Sequence, residues 1–191
     1  MRRMIKTLYP TFRRWSEKGS VWLISDTHFD DPDRELMEYE VSTEEHFQYI
    51  IETCHKNDTI VHLGDVGNKE YFKKIKSHKV LILGNHDHQP GYYEDCFDEI
   101  YDGPLFIADK ILLSHEPLLG DCWLNVHGHD HSSWTLGGNH INLAAHVVGY
   151  KPISLGNIVK MGSLKGIPSI HRIAIDKQKE FTNEKASKKC N

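Results

Sequence analysis

The chain has 191 residues, of which 39% are hydrophobic and 26% are charged, as expected of one globular domain with its own core. Its formal net charge of −4 excludes a general attraction to nucleic acid, although a local nucleic-acid contact stays possible. No apolar run approaches the ~20 residues of a membrane span, so we expect no membrane partner. Fourteen histidines are the compositional anomaly, and they favour metal binding.

The four cysteines are scattered along the chain without a Cys-x-x-Cys pair. This pattern favours reduced thiols in a cytoplasmic protein over a disulfide framework. Nothing in the composition indicates an oligomeric state.

The N-terminal residues 1–19 form a basic segment that also contains Tyr9, Phe12 and Trp15. It lacks the apolar run of a secretory signal. One interpretation is an arm that binds nucleic acid, a partner or an anionic substrate. The other is a leading segment that packs its aromatic rings on the rest of the chain, so that all 191 residues form a single domain.

Three short apolar runs each end at potential metal ligands. Residues 21–25 precede Asp26 and His28, residues 59–63 precede Gly64 and Asp65, and residues 79–83 precede the segment Gly-Asn-His-Asp at 84–87. Apolar runs rich in β-branched residues predict buried strands. In an open α/β sheet ligands bind at the carboxyl ends of such strands, so the pattern predicts a metal site there.

Helical patterns separate these strands. Ser42 and Glu45 have the spacing of a capping box, and the apolar residues that follow share one helix face as far as Cys54. Residues 68–77 predict a shorter helix. Alternating strands and helices of this kind build a parallel sheet with right-handed crossovers.

Beyond residue 97 the pattern changes to short apolar runs separated by tight turns. Runs at 105–108, 111–114, 123–126 and 139–148 predict a second sheet packed on the first. Ser154 is expected to cap a brief helix that ends near residue 160, and residues 183–191 are expected to form a frayed polar tail.

The side chains that follow the strands make up a mixed nitrogen and oxygen ligand set without thiolate. It consists of seven groups: Asp26, His28, Asp65, Asn85, His115, His129 and His131. Seven groups suffice for two ions if the Asp65 carboxylate bridges them. Such a set suits Mn²⁺, Fe, Zn²⁺ or Ni²⁺ better than Mg²⁺ or Ca²⁺, which prefer oxygen ligands. Two ions ~3.5–4 Å apart can hold a bridging hydroxide and clamp an in-line phosphoryl displacement.

Five motifs in this order resemble those of the calcineurin-like metallophosphoesterase superfamily. They are Asp-x-His at 26–28, Gly-Asp at 64–65, Gly-Asn-His-Asp at 84–87, Ser-His-Glu-Pro at 114–117 and Gly-His-Asp-His at 128–131. The resemblance implies an α/β fold in which two packed β-sheets are flanked by helices, an α/β/β/α four-layer sandwich. It also implies a dinuclear site at the sheet edges.

The resemblance further implies how the ligands divide between the ions. One ion would be held by Asp26, His28, Asp65 and His131, and the other by Asp65, Asn85, His115 and His129. His86 would be the catalytic residue that protonates the leaving oxygen or stabilises the phosphate charge. Asp87 is expected to tether its turn.

Two differences from well-known subfamilies restrict which members of the superfamily this chain resembles. The second motif continues Val-Gly-Asn-Lys-Glu at 66–70, so it lacks the Asp and Arg that protein Ser/Thr phosphatases carry there. The chain also lacks the long additions of the double-strand-break nucleases. It resembles the small bacterial and phage members instead, and what orients His86 is left open.

The favoured hypothesis is therefore a metal-dependent phosphodiesterase acting on a small molecule or a nucleotide, with Mn²⁺ as the expected metal. The alternatives are a phosphomonoesterase or small nuclease of the same superfamily, and a scaffold that binds metal without turnover. Of the other histidines, His62 is expected to be structural. His88, His127 and His140 could contact the substrate or the metal ligands. Trp134, His146 and Tyr150 could line a pocket but are expected to pack in the core.

Overall fold

The computed structural model describes residues 9–132, 138–162 and 164–189. Within these ranges the helices are α1 (Tyr9–Trp15), α2 (Thr43–Thr53), α3 (Glu70–Lys74), α4 (Leu155–Met161) and α5 (Ile170–Lys189). The strands are β1 (Val21–Ile24), β2 (Thr59–His62), β3 (His78–Ile82), β4 (Glu99–Tyr101), β5 (Leu105–Ala108), β6 (Ile111–Leu113), β7 (Leu124–His127), β8 (His140–Asn142) and β9 (Ile153–Ser154).

The strands form two mixed sheets. The first has the order β4-β3-β2-β1-β9, in which β1 to β4 are parallel and β9 runs antiparallel to β1. The second has the order β5-β6-β7-β8, with β6, β7 and β8 parallel. Two sheets flanked by helices confirm the predicted α/β class.

The first sheet is apolar on both faces because its strands alternate between two cores. Leu23, Val61 and Val80 face the second sheet, where they meet residues such as Leu113 and Val126. Their neighbours Ile24, Ile60 and Leu81 face the opposite way and pack with residues of α2 and α3. Burial on both faces explains why these strands read as continuous apolar runs in the sequence.

Helix α1 packs against this frame through the aromatic residues of the basic segment. Phe12 and Trp15 are buried in the core between the sheets, and Trp15 Nε1 donates to Glu99 Oε1 at 3.0 Å. The packing interpretation therefore holds for these two rings. Residues 1–8 lie outside the described chain.

Helix α2 is capped as predicted, although only half of the capping box forms. Ser42 Oγ accepts from Glu45 N at 3.2 Å, whereas the Glu45 carboxylate accepts from Tyr49 Oη at 2.7 Å instead of returning to the cap. Helix α4 shows the same type of cap, with Ser154 Oγ accepting from Asn157 N.

Three predicted elements have different bounds in the structure. Helix α3 covers only Glu70–Lys74, because Ile75 is already extended and its side chain enters the core. The strand predicted at 139–148 ends at Asn142, whose side-chain Oδ1 accepts from Ala144 N at 3.0 Å and starts a turn. The predicted frayed tail is wrong for residues 183–189, which continue helix α5; residues 190–191 are outside the described chain.

Two further observations concern the class of protein. Cys54, Cys96 and Cys122 are free thiols. Among the described residues, no helix combines the length and the apolar character needed to cross a bilayer.

We predict that Ser42→Ala lowers the free energy of unfolding by about 1 kcal/mol, because the first turn of α2 loses its side-chain acceptor. Urea denaturation measures the loss. Ser42→Asp, which retains an acceptor, is the control and should stay close to the parent protein. Equal stability of Ser42→Ala and the parent would show that the cap contributes nothing.

Candidate metal centre

All seven predicted ligands follow the carboxyl ends of parallel strands. Asp26 and His28 follow β1, Asp65 follows β2 and Asn85 follows β3. The second sheet supplies the rest, with His115 after β6 and both His129 and His131 after β7. The two sheets therefore deliver their polar loops to one edge of the sandwich.

Hydrogen bonds join the two sheets at this edge. Ser25 N donates to Leu143 O at 3.0 Å, directly before Asp26. His129 N donates to the Asp26 carboxylate at 3.0 Å from Oδ2 and 3.2 Å from Oδ1. The loop after β7 is therefore held against the loop after β1.

The ligand atoms gather into two groups. Asp26, His28 and His131 form one, and Asp65, His115 and His129 form the other. Within each group the candidate donor atoms all lie within 4.8 Å of one another. Each group could hold one metal ion.

The Asp65 carboxylate connects the two groups. Its Oδ2 lies 3.6 Å from His28 Nε2 in one group and 3.3 Å from His115 Nε2 in the other. The second oxygen, Oδ1, accepts from His86 N at 2.9 Å. Asp65 Oδ2 thus faces one imidazole of each group, as an oxygen of a bridging carboxylate would.

Asn85 completes the second group. Its Oδ1 lies 2.8 Å from His115 Nε2 and 3.0 Å from His129 Nδ1, and the two imidazole nitrogens are 3.2 Å apart. Two atoms each about 2.1 Å from a common ion are separated by about 3.0–3.4 Å. The observed spacings are therefore close to those of atoms that coordinate one ion.

The fit to a metal can be tested on the imidazole nitrogens. His28 is fully buried, and among the described residues its Nε2 has no hydrogen-bond partner. Its Nδ1 pairs with Asp31 Oδ2 at 3.0 Å, which places the proton on Nδ1 and leaves a lone pair on Nε2. In the same way His115 Nδ1 donates to Leu63 O at 2.8 Å and turns Nε2 towards Asn85. A buried lone pair directed at other acceptors fits a cation.

Electrostatics at the centre also favour positive charge. Burial lowers the pKa of His115, but the hydrogen bond to Asp65 and the charges of Asp26 and Asp65 outweigh it and raise this pKa to about 9. Burial raises the pKa of the Asp65 carboxyl, yet its hydrogen bond to His115 and other contacts lower it to about 2. Without a metal, the site therefore stabilises a proton on His115.

Four candidate ligands have a backbone in the left-handed region. Three of them lie on loops of the first sheet and one on a loop of the second. The φ angles are 54° at Asp26, 41° at His28, 60° at Asp65 and 65° at His129. Such conformations cost about 1–3 kcal/mol each and cluster at functional sites. Backbone bonds hold them, including Asp26 N to Gly64 O at 2.9 Å and His28 N to Asp65 O at 3.1 Å.

Two motif glycines are required by close approach to the ligands. A Cβ atom at Gly84 would lie 2.2 Å from Asp65 Oδ1, and one at Gly128 would lie 2.2 Å from Asp26 Oδ2. Any side chain there would displace a carboxylate of the centre. This explains why the ligands that follow are preceded by Gly.

Asp87 tethers its turn, as the sequence predicted. Its carboxylate accepts from the backbone N–H groups of Asp65 and Val66, both at 2.9 Å, and of Gly84 at 2.8 Å. The Tyr93 hydroxyl donates to it at 2.8 Å. Asp87 therefore holds the loops after β2 and β3 together without facing the ligand groups.

His86 lies at the exposed mouth of the centre. Its ring contacts the ring of His28 edge to face, with centroids 5.6 Å apart. Among the described residues, no side chain forms a hydrogen bond with its imidazole, so it is positioned by its backbone bond to Asp65.

Sequence reasoning missed three residues that support the ligands. Asp31 holds His28 through Nδ1, and its spacing of three residues from that histidine was the available signal. Tyr39 donates its hydroxyl to the backbone oxygen of Asp26. His146, expected in the core, stacks on His131 with centroids 4.9 Å apart and donates from Nε2 to His131 O at 2.8 Å. Only the folded chain brings Tyr39 and His146 to the site.

The remaining histidines differ in their surroundings. His62 Nε2 pairs with Thr27 Oγ1 at 3.0 Å inside the core, which confirms a structural role. His127 and His140 contact each other on the second sheet, with centroids 5.6 Å apart. His88 is exposed and contacts Tyr92. Trp134 lies outside the residues that the structure describes.

Comparison with known proteins identifies similar chains. No protein-family model matches this chain. An uncharacterized protein of Methanocaldococcus jannaschii is 29% identical, and the match covers 74% of this chain and 90% of that protein. The crystal structure of a protein of unknown function from Aquifex aeolicus aligns with a TM-score of 0.61 and 26% identity, over 74% of this chain and 98% of that one.

Two further structures align less well. A nuclease from Pseudomonas putida has a TM-score of 0.44 at 21% identity, over 62% of this chain and 65% of its own. A phosphoesterase from E. coli has a TM-score of 0.40 at 18% identity, over 72% of this chain and 82% of its own. Because both scores are below 0.5, the function proposed below depends on this chain's own side chains.

We predict that Asp31→Ala weakens Mn²⁺ binding about 10–100-fold, because His28 loses the carboxylate that orients it. Calorimetric titration with Mn²⁺ measures the affinity, and circular dichroism checks the fold. Asp30→Ala is the matched control, since it removes the same charge one residue earlier. Unchanged affinity in Asp31→Ala, or equal losses in both variants, would contradict the role of Asp31.

Proposed function

We propose that this chain is a calcineurin-like metallophosphoesterase that uses two divalent ions to hydrolyse phosphodiester bonds in a small molecule or a nucleotide. One observation carries the proposal. The Asp65 carboxylate lies between two Asp and His groups, and beside it the buried Nε2 of His28 accepts no hydrogen bond from any described residue. Because the buried His46, outside the centre, also has ring nitrogens that are unpaired within the described chain, it is the position of the His28 nitrogen beside Asp65 that supports a metal.

The proposed ligands divide around Asp65. Asp26, His28 and His131 would hold one ion, and Asn85, His115 and His129 the other, with Asp65 shared between them. The distances of 3.3 and 3.6 Å from Asp65 Oδ2 to the two imidazoles support this division. His129 and Asn85 are exposed, so a phosphate ester could reach this side of the centre.

The ligand set favours Mn²⁺, with Fe, Ni²⁺ or Zn²⁺ as alternatives. It contains four imidazoles, two carboxylates and one amide oxygen, whereas Mg²⁺ and Ca²⁺ prefer oxygen alone. Two such ions would supply Lewis acidity and positive charge for phosphoryl transfer. The protein's part is to fix the ligand positions, through Asp31, Asp87 and the backbone bonds between the loops.

His86 is the proposed acid. It is exposed at the mouth of the centre and adjoins His28, so its ring can reach a leaving oxygen that an ester presents there. A proton held on this imidazole would pass to the leaving alkoxide as the bond to phosphorus breaks. The free thiols at Cys54, Cys96 and Cys122 favour a reducing compartment such as the cytoplasm for this enzyme.

The proposal is tested by hydrolysis of a phosphodiester with added metals. We expect no activity in chelator, activity with Mn²⁺ or Ni²⁺ well above that with Mg²⁺, and two metals per chain by elemental analysis. Asp65→Asn should lose both metal and activity, because it removes the one charge that faces both groups. Asp121→Asn, an exposed carboxylate outside the centre, is the control.

Full activity in chelator would refute metal dependence. Two metals and near-normal turnover in Asp65→Asn would refute the bridge.

We predict that His86→Asn keeps both metals bound but lowers the rate about 10²–10⁴-fold, the usual contribution of a positioned acid. The loss should grow with the pKa of the leaving group, since an alkoxide needs the proton and nitrophenolate does not. Rates for a series of phosphodiesters with different leaving groups measure this dependence. A constant ratio of mutant to parent rates across the series would rule out the acid role.

A further inference from the structure

A cleft of about 280 Å³ opens beside the proposed metal centre on the His86 side. Imidazole and phenol rings and two carboxylates form its walls, among them His86, His88, Tyr92, Tyr93, Asp30 and Asp31. We refer to it as the aromatic cleft. None of these residues is a proposed metal ligand.

The aromatic cleft adjoins the proposed metal centre through two of its wall residues, His86 and Asp31. The ring of His86 lies against that of His28, and Asp31 accepts from His28 Nδ1 at 3.0 Å. A substrate whose phosphate lies at the ligands could therefore extend its next group past His86 into this cleft.

An exposed pair of flat rings lines the far side of the aromatic cleft. His88 and Tyr92 lie with ring centroids 4.4 Å apart, and Tyr92 remains 42% exposed beside His88, Tyr93 and Lys69. The backbone around Tyr92 is held in place, because Lys69 Nζ donates to Tyr92 O at 2.5 Å and Tyr92 N donates to Gln89 O at 2.9 Å. The pair offers a fixed surface on which another flat ring can stack.

The carboxylate of Asp30 provides an acceptor at the same cleft. It receives hydrogen bonds from Asn68 Nδ2 at 2.8 Å and, weakly, from Tyr71 Oη at 3.5 Å. Within the described chain no Lys or Arg forms a close ion pair with it, although Arg34 interacts with it at longer range. Each carboxylate oxygen also has a second lone pair. Asp30 can therefore accept from an N–H group of a ligand.

We propose that the aromatic cleft binds a nucleobase with an exocyclic amino group, so that the substrate of the proposed phosphoesterase is a nucleotide. The base would stack on Tyr92 and His88 and donate its amino group to Asp30, while its phosphate lies at the metal centre. This inference rests on the proposed function.

Aromatic rings beside carboxylates could also bind an aliphatic ammonium, but Lys69 argues against it. Its Nζ lies 4.2 Å from the centroid of the Tyr92 ring, so a cation already occupies one face of this ring. A second cation on Tyr92 would be repelled by Lys69, whereas a neutral base would not. The chemistry of the cleft therefore favours the base.

The test compares ligands that differ only in the base. Mn²⁺-loaded protein is titrated with adenosine 5′-monophosphate, inosine 5′-monophosphate and ribose 5-phosphate, and with phosphocholine as the cationic alternative. We expect adenosine 5′-monophosphate to bind about 5- to 150-fold more tightly than ribose 5-phosphate, the value of one base–aromatic stack. Tyr92→Ala should remove that preference, and Asp30→Asn should narrow the preference for adenosine over inosine.

Tyr49→Ala is the matched control, since Lys151 Nζ lies 4.8 Å from the Tyr49 ring on helix α2 and Tyr49 is no part of the cleft. Equal binding of adenosine 5′-monophosphate and ribose 5-phosphate would overturn the inference. So would a preference that survives in Tyr92→Ala, or tightest binding of phosphocholine.

Hydrolysis of methyl p-nitrophenyl phosphate, which carries no base, separates this inference from the proposed function. Activity that requires Mn²⁺, together with equal binding of the two ribose phosphates, would refute the nucleobase site alone. Absence of Mn²⁺-dependent hydrolysis, together with a preference for adenosine 5′-monophosphate that Tyr92→Ala removes, would refute the phosphoesterase and support the nucleobase site.

Discussion

The position of the Asp65 carboxylate between two imidazoles is the constraint on which the rest of the site depends. Its Oδ2 lies within 3.6 Å of both His28 and His115, and all three side chains are buried. Buried charges are unstable unless they are compensated. The backbone turns, the close glycine contacts and the raised pKa of His115 are all consistent with a centre built to be neutralised by cations.

Two other carboxylates stabilise this arrangement without joining it. Asp87 collects three backbone N–H groups from the loops after β2 and β3, and Asp31 fixes the ring of His28. Asp87 therefore holds the backbone of the two loops, and Asp31 orients the side chain of His28. Together they explain how loops with strained backbones can present ligands in one geometry.

The same architecture leaves the centre open on one side. His86, Asn85 and His129 are exposed, and the aromatic cleft begins at His86. The ligands are held by short loops at strand ends, whereas the cleft is formed by the segments around residues 30 and 88–93. The proposed metal ligands and most of the cleft wall thus lie on different segments of the chain. His86 and Asp31 serve both, His86 as the proposed acid and Asp31 as the partner of His28.

The sequence by itself determined the α/β class and strands β1, β2 and β3 of the first sheet, and it predicted the seven candidate ligands; it did not predict β4 or β9. This was possible because strands buried on both faces read as apolar runs, and the groups that follow them must meet at one sheet edge. It also determined the cap of α2 and the tethering role of Asp87, since both depend on contacts local to a turn.

Only the tertiary structure decided which groups support the ligands and where the later elements end. Tyr39 and His146 reach the centre across long stretches of chain, and no local pattern indicates such contacts. The strand predicted at 139–148 stops at Asn142 because a side-chain bond to Ala144 N outweighs the β propensity of the run. Which oxygen of Asp65 faces both imidazoles likewise depends on how the two sheets pack, since His28 follows a strand of the first sheet and His115 a strand of the second.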